Sequence, residues 1–262
     1  MKVVLFCGGL GLRLRDVADE IPKPMVMIGH RPIVWHVMKY YAHFGHKDFI
    51  LCLGYKSDVI KDYFLNYSEA VSNDFVLSEG GRDLKFLNRD IEDWRISFIE
   101  TGFHSSIGQR LLSVRDHLAG EEVFLANYSD GLTDLDLPGM IQRFLTGKRV
   151  GGFLCVRPPL SYHGVTLGDG DRVETLAPLS ESGPLINGGY FVLRRSIFDY
   201  LKEGEDLVGD AFQRLVAKNL LMGHRHDGFW ASMDTFKDKQ VLDRIYARGE
   251  APWEIWRRRS SA

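Results

Sequence analysis

The apolar positions fall into short continuous runs separated by segments with helical spacing. Val3-Val4-Leu5-Phe6-Cys7 is unbroken and stops at Gly8-Gly9, the pattern of a strand buried on both faces. Positions 32–44 carry Ile33, Val37 and Tyr41 on one face and predict a helix. Pro32 would sit in its first turn, where the missing N–H is an orphan anyway. Positions 48–53 predict the next strand. Positions 58–67 predict a helix with Val59, Ile60, Tyr63 and Phe64 as its apolar side. A strand at 96–100, a helix at 108–118 and a strand at 123–126 continue the alternation. Strand, helix, strand repeated in this way means a parallel sheet with crossover helices on its faces.

The second half reads differently. Short strands at 151–156, 164–167, 172–176 and 190–193 are separated by Gly, Asp and Pro turns, and 196–201 and 209–218 look helical. A closing helix is expected over 235–248. There is no internal repeat or obvious linker. The expectation is therefore one α/β domain over 1–262, with a parallel-sheet half at 1–135 and a mixed-sheet, substrate-facing half at 136–262 that ends in the C-terminal helix.

The chain has 262 residues, 45% hydrophobic and 26% charged. This is an ordinary globular composition, long enough to bury a large core. The formal net charge of −2 gives no electrostatic case for nucleic acid. The basic run Arg257-Arg258-Arg259 reads as a solvated tail. Three widely spaced cysteines, Cys7, Cys52 and Cys155, suggest neither a disulfide framework nor a zinc site. No apolar run is long enough for a signal peptide or a bilayer span, so a cytoplasmic location without a membrane partner is the expectation.

Four features could carry chemistry. Gly8-Gly9-Leu10-Gly11-Leu12-Arg13 follows the first strand directly. Glycines let backbone N–H groups approach phosphate oxygens, and arginine adds a fixed charge. A tight strand-to-helix turn is the plain alternative. In Pro22-Lys23-Pro24-Met25 the flanking prolines stiffen the backbone around the lysine, which could face a phosphate or simply solvent. Asp130 ends an apolar strand and is placed to hold Mg²⁺ through oxygen, although Asp-Gly is also a common turn. Asp234 precedes the last helix, where N-capping competes with metal binding.

Taken in order, the glycine loop with Arg13, Lys23-Pro24, Asp130-Gly131, Asn187-Gly188-Gly189 and Asp234 resembles the sugar nucleotidylyltransferases, and most of all their glucose-1-phosphate cytidylyltransferase branch. Lys47-Asp48-Phe49-Ile50, Gly54-Tyr55-Lys56, Gly228-Phe229-Trp230 and Ala251-Pro252-Trp253 support the resemblance from end to end. It implies a Rossmann-like α/β nucleotidylyltransferase fold with a mixed, mostly parallel central sheet and flanking helices. It implies transfer of NMP from an NTP, CTP in this branch, to a sugar 1-phosphate, with release of pyrophosphate, dependence on Mg²⁺, and a homo-oligomer.

Carried over residue by residue, Phe6, Cys7, Gly8, Gly9, Leu10, Gly11, Leu12 and Arg13 would hold the nucleotide, with Arg13 on the phosphates that leave. Lys23 would contact the α-phosphate and the incoming phosphate. Ser105, Arg110 and Ser129 would touch the nucleotide. Asp130 and Asp234 would hold Mg²⁺. Asn187 and Gly188 would line the acceptor side.

Three departures stand out. Leu12 replaces the family's usual Thr, and Ser129 its usual Gly. The family's Glu-Lys-Pro has no counterpart in Val173-Glu174-Thr175-Leu176-Ala177-Pro178, and no lysine lies between Lys148 and Lys202. A phosphorylated acceptor still needs a cation. Arg157, His163 and Arg172 are the candidates, unless the acceptor is not glucose 1-phosphate. A non-catalytic nucleotide-binding relative and a metal-dependent glycosyltransferase are the rival readings.

Overall fold

A computed structural model describes residues 1–9, 21–158, 163–178 and 183–257. Leu10, Gly11, Leu12 and Arg13 lie outside the described residues. The framework is a seven-stranded sheet. In chain order its strands are β1 (Val3–Phe6), β2 (Asp48–Leu53), β3 (Arg95–Glu100), β4 (Val123–Asn127), β5 (Gly151–Val156), β6 (Ile186–Arg194) and β7 (Leu221–Arg225). Their spatial order is β7-β5-β6-β4-β1-β2-β3. All neighbours run parallel except β6, which is antiparallel to both β4 and β5.

Helices cover the sheet: α1 (Ile33–His43), α2 (Ser57–Leu65), α3 (Ile107–Ser113), α4 (Leu137–Leu145), α5 (Phe212–Ala217) and α6 (Phe236–Ala247). The alternation of β1 sorts the core. Val3, Leu5 and Cys7 join the apolar cluster that contains α1, α4 and Leu242 of α6. Val4 and Phe6 join the opposite cluster with Leu111 of α3 and Phe212 of α5. Both faces are covered, which is why the strand reads as an unbroken apolar run. The chain leaves β1 toward β2 and β3, then crosses back to place β4 on β1's other side. The ends of β1 and β4 therefore form a topological switch point, where open α/β sheets leave a crevice.

Several expectations shift in detail. Pro32 is the N-cap of α1 and pairs with Met27 in a two-stranded ribbon, rather than standing inside the helix. The helix expected over 108–118 is α3 followed by a 3-10 turn, Arg115–Leu118. The one expected over 209–218 begins as a π turn, Leu207–Ala211, before α5. The stretch 196–201 is a 3-10 turn, Arg195–Asp199. Helix α4 has no counterpart among the expected elements. Proline is tolerated in a first helical turn, Asp136 caps the helix by accepting from Gly139 N at 3.3 Å, and Leu137, Met140, Ile141 and Phe144 are buried.

The C-terminal tail closes on the chain's own core. Trp253 is 1% exposed, and its Nε1 donates to His36 Nδ1 at 3.3 Å. His36 Nε2 lies 3.1 Å from the Ile28 carbonyl. Donation to that carbonyl defines the neutral tautomer that leaves Nδ1 free to accept. Burial pushes the His36 pKa down to about 4 from 6.5. The folded protein favours the uncharged ring, so this contribution is complete above about pH 6.5 and is lost as the pH falls toward 4, by up to about 3 kcal/mol. We expect His36→Gln to lower stability at pH 7.5 by about 1–3 kcal/mol and to flatten the stability–pH slope between 6.5 and 4 in denaturant titrations. A slope unchanged from wild type would refute this assignment.

Candidate active site

The crevice at the switch point holds a cavity of about 550 Å³, the usual size for a small-molecule site. Phe6, Cys7 and Gly9 reach it from the end of β1, and Tyr128, Ser129 and Asp130 from the end of β4. Lys23 and Pro24 face them. Ser105, Ser106, Ile107 and Arg110 come from the start of α3, and Asp206 and Asp234 complete the wall.

Lys23 is the centre of the charge arrangement. It sits in a 3-10 turn, Lys23–Met25, held by Met25 N donating to the Pro22 carbonyl at 2.8 Å. Its Nζ lies 2.6 Å from Asp130 Oδ2 and 2.7 Å from Asp234 Oδ1. Burial alone would push the lysine pKa down, but the two carboxylates outweigh it and hold it above its ordinary value. Asp130 is pushed up by burial, with the Asp234 charge adding to the rise and Lys23 opposing it.

Asp234 does not cap α6. That role falls to Thr235, whose hydroxyl accepts from Asp238 N in a reciprocal capping box. The Asp234 carboxylate is free of the capping task and points instead toward Lys23, with Ser232 Oγ donating to its Oδ2 at 2.7 Å.

Ser129 has φ +67°, a left-handed conformation that costs a non-glycine residue some strain. The turn is fastened by Ser129 N donating to Asn127 Oδ1 at 2.7 Å, with Ser129 Oγ 2.9 Å from the Phe6 carbonyl. The hydroxyl therefore ties the β4 turn to the end of β1. Cys7 is buried, and burial pushes its thiol up to about 12, so it is no nucleophile at neutral pH.

Arg110, 2% exposed, spends its fork on main chain. NH1 donates to the carbonyls of Leu53 (3.1 Å) and Gly102 (2.9 Å) and to Thr101 Oγ1 (2.8 Å), and NH2 donates to the Gly8 carbonyl at 2.9 Å. It thereby binds the loops after β1, β2 and β3 together. The approach is close enough to require glycine at Gly54: a Cβ there would lie 2.8 Å from the Gly102 carbonyl and 2.9 Å from that of Gly8.

The residues expected on the acceptor side have other neighbours than this cavity. Asn187 donates to the Tyr128 hydroxyl at 3.3 Å, and the Gly188 carbonyl accepts from Trp230 Nε1 at 2.8 Å. Of their two partners, Tyr128 lines the cavity. Arg157 lies 3.8 Å from Asp227. His163 and Arg172 belong to a separate, exposed hairpin, His163–Leu167 with Val173–Pro178, and Arg172 lies 3.7 Å from Glu174. Among the described residues none of these five lines the cavity. Tyr128, Ser106, Ile107 and Asp206 line it without having been singled out from the sequence. Nothing local marks Asp206, which reads only as the cap of the next turn and accepts from Val208 N and Gly209 N.

Two oxygen-donor carboxylates aimed at one point suit a hard cation such as Mg²⁺, which typically takes one or two carboxylates and completes its shell with water and phosphate. Among the described residues no cluster of three or more His, Cys, Asp or Glu side chains could hold a metal.

A family model described as nucleotidyl transferase matches residues 2–239. The chain belongs to the nucleotidyl transferase family. It is 36% identical over 258 residues to the glucose-1-phosphate cytidylyltransferase of Salmonella typhimurium (strain LT2), covering 98% of this chain and 100% of that protein. The fold of this nucleotidyl transferase is shared with HddC from Yersinia pseudotuberculosis, at a TM-score of 0.64 and 19% identity over 94% of this chain and 99% of that one. It is shared also with a UDP-glucose pyrophosphorylase solved with UDP-glucose, at a TM-score of 0.67 and 16% identity over 95% and 98% of the two chains. Among the described residues no helix is long and apolar enough to cross a membrane.

Replacing Arg110 by Met strips several buried carbonyls of their donor. We expect a loss of about 2–4 kcal/mol in urea unfolding. Gly54→Ala is expected to destabilise by a similar mechanism, forcing the same loops apart. A wild-type midpoint for either variant would show that the three loops stand without this fork.

Proposed function

We propose that the chain transfers a cytidylyl group from CTP to a sugar 1-phosphate, forming a CDP-sugar and pyrophosphate in a cytoplasmic setting. The observation that carries this reading is Lys23 between Asp130 and Asp234 at the switch-point cavity. Full-length likeness to a glucose-1-phosphate cytidylyltransferase supports the choice of base and acceptor class. A homo-oligomer belongs to the same proposal.

In the reaction, an oxygen of the sugar phosphate forms a bond to the α-phosphorus. The bond from that phosphorus to the bridging oxygen breaks, and pyrophosphate leaves with the electron pair. Such a transfer needs positioning and charge neutralisation more than covalent help, in keeping with the inert Cys7 thiol. Backbone at Gly8 and Gly9 lets phosphate approach without side-chain interference. Lys23 supplies a cation at the α-phosphate and the incoming phosphate. Arg13 is assigned to the leaving phosphates. Ser105 and Ser129 border the nucleotide, and Arg110 holds the loops around it. Asp130 and Asp234 would hold Mg²⁺, which when bound neutralises phosphate charge and orients the oxygens.

The acceptor is proposed only as a sugar 1-phosphate, because Glu174 to Pro178 carries no lysine and Asn187 donates to the Tyr128 hydroxyl. A panel of CTP, UTP, dTTP, ATP and GTP against phosphorylated sugars, read as Mg²⁺-dependent pyrophosphate release, tests the reading. We expect turnover with CTP and at least a hundredfold loss (on the order of 10²–10³) in Asp130→Asn. Binding of CTP without pyrophosphate release from any acceptor would favour a non-catalytic relative.

A further inference from the structure

We propose that Lys23 is the resident counter-ion of the Asp130–Asp234 pair, and that a divalent cation must displace it, so that cation and nucleotide bind as a coupled pair. This rests on the assignment of Asp130 and Asp234 to the metal in the reading above.

The argument is geometric. One ammonium nitrogen lies 2.6 Å from one carboxylate and 2.7 Å from the other. Its two contacts are Asp130 Oδ2 and Asp234 Oδ1. Magnesium–oxygen bonds are about 2.0–2.1 Å, so a cation bridging those same oxygens would occupy the space of the ammonium and would repel it. The backbone that carries the lysine is held in place, because Pro22 and Pro24 stiffen the turn and Pro24 and Met25 are buried. The side chain itself is only 16% exposed, so water competes weakly for its charge. Leaving the carboxylates therefore requires another anion within reach.

A triphosphate in the cavity supplies that anion. Once its oxygens accept from Lys23, Asp130 Oδ2 and Asp234 Oδ1 lose the ammonium and can turn to a divalent cation, which in turn screens the phosphates. Linkage makes the effect reciprocal: the factor by which nucleotide raises cation affinity equals the factor by which cation raises nucleotide affinity. The same three side chains thus discourage a metal ion from binding alone.

The test uses Mn²⁺ alone as probe, its free fraction read by electron paramagnetic resonance on nucleotide-free protein. Wild type and Lys23→Arg, which keeps the charge, are expected to bind Mn²⁺ weakly and alike. Lys23→Met is expected to bind it about tenfold tighter or more, within the range common for coupled sites, and Lys23→Met/Asp130→Asn to lose that gain. Lys23→Gln serves as a second neutral variant, with folding checked by circular dichroism.

Micromolar Mn²⁺ binding by nucleotide-free wild type would overturn the proposal whatever the variants do. So would a Lys23→Met protein that binds no tighter than wild type, or a gain that survives Asp130→Asn. The readout involves no turnover. A negative result here leaves the pyrophosphate assay to judge the catalytic reading, and a silent pyrophosphate assay leaves this result standing.

Discussion

The charge cluster of Lys23, Asp130 and Asp234 is the constraint around which the rest of the molecule is arranged. Its members are 107 and 211 residues apart in the chain. Bringing them within hydrogen-bond distance requires β4 to lie beside β1, a proline-stiffened turn opposite both, and the short pairing of Trp230–Ser232 with Gly131–Thr133 to deliver Asp234. Two carboxylates this close repel each other, and a partly buried pair is stable only with a cation between or upon them. The fold supplies one from its own chain, and the proposed chemistry exploits that it can be exchanged for another.

Arg110 plays the corresponding part for uncharged groups. Loops at strand ends expose carbonyls that no longer have ladder partners, and an unpaired buried carbonyl is costly. One planar fork answers several of them at once, and glycine at Gly54 lets the loops come close enough to share it. The family resemblance casts this residue as a nucleotide contact. Its observed partners are main-chain carbonyls and Thr101, and it borders the cavity.

The second half of the chain carries an element that stands outside the main sheet. The hairpin that spans His163–Leu167 and Val173–Pro178 forms a two-stranded sheet of its own. Arg157 and Arg172 are near acidic neighbours there, Asp227 and Glu174. The missing lysine is thus not visibly replaced at the wall of the described cavity.

Local information was enough for the strand and helix alternation and for the aspartate just past the end of β4. Periodicity, glycine and proline act over a few residues and leave their mark in any window that contains them. That is why β2 and β5 appear at their full lengths in the apolar pattern. Long-range geometry had no such signature. That Asp234 bridges to Lys23 instead of capping α6, that Arg110 turns onto main-chain carbonyls, and that Asp206 reaches the cavity all depend on strand order and crossover. These are settled by which faces bury together, and no single stretch of sequence encodes that.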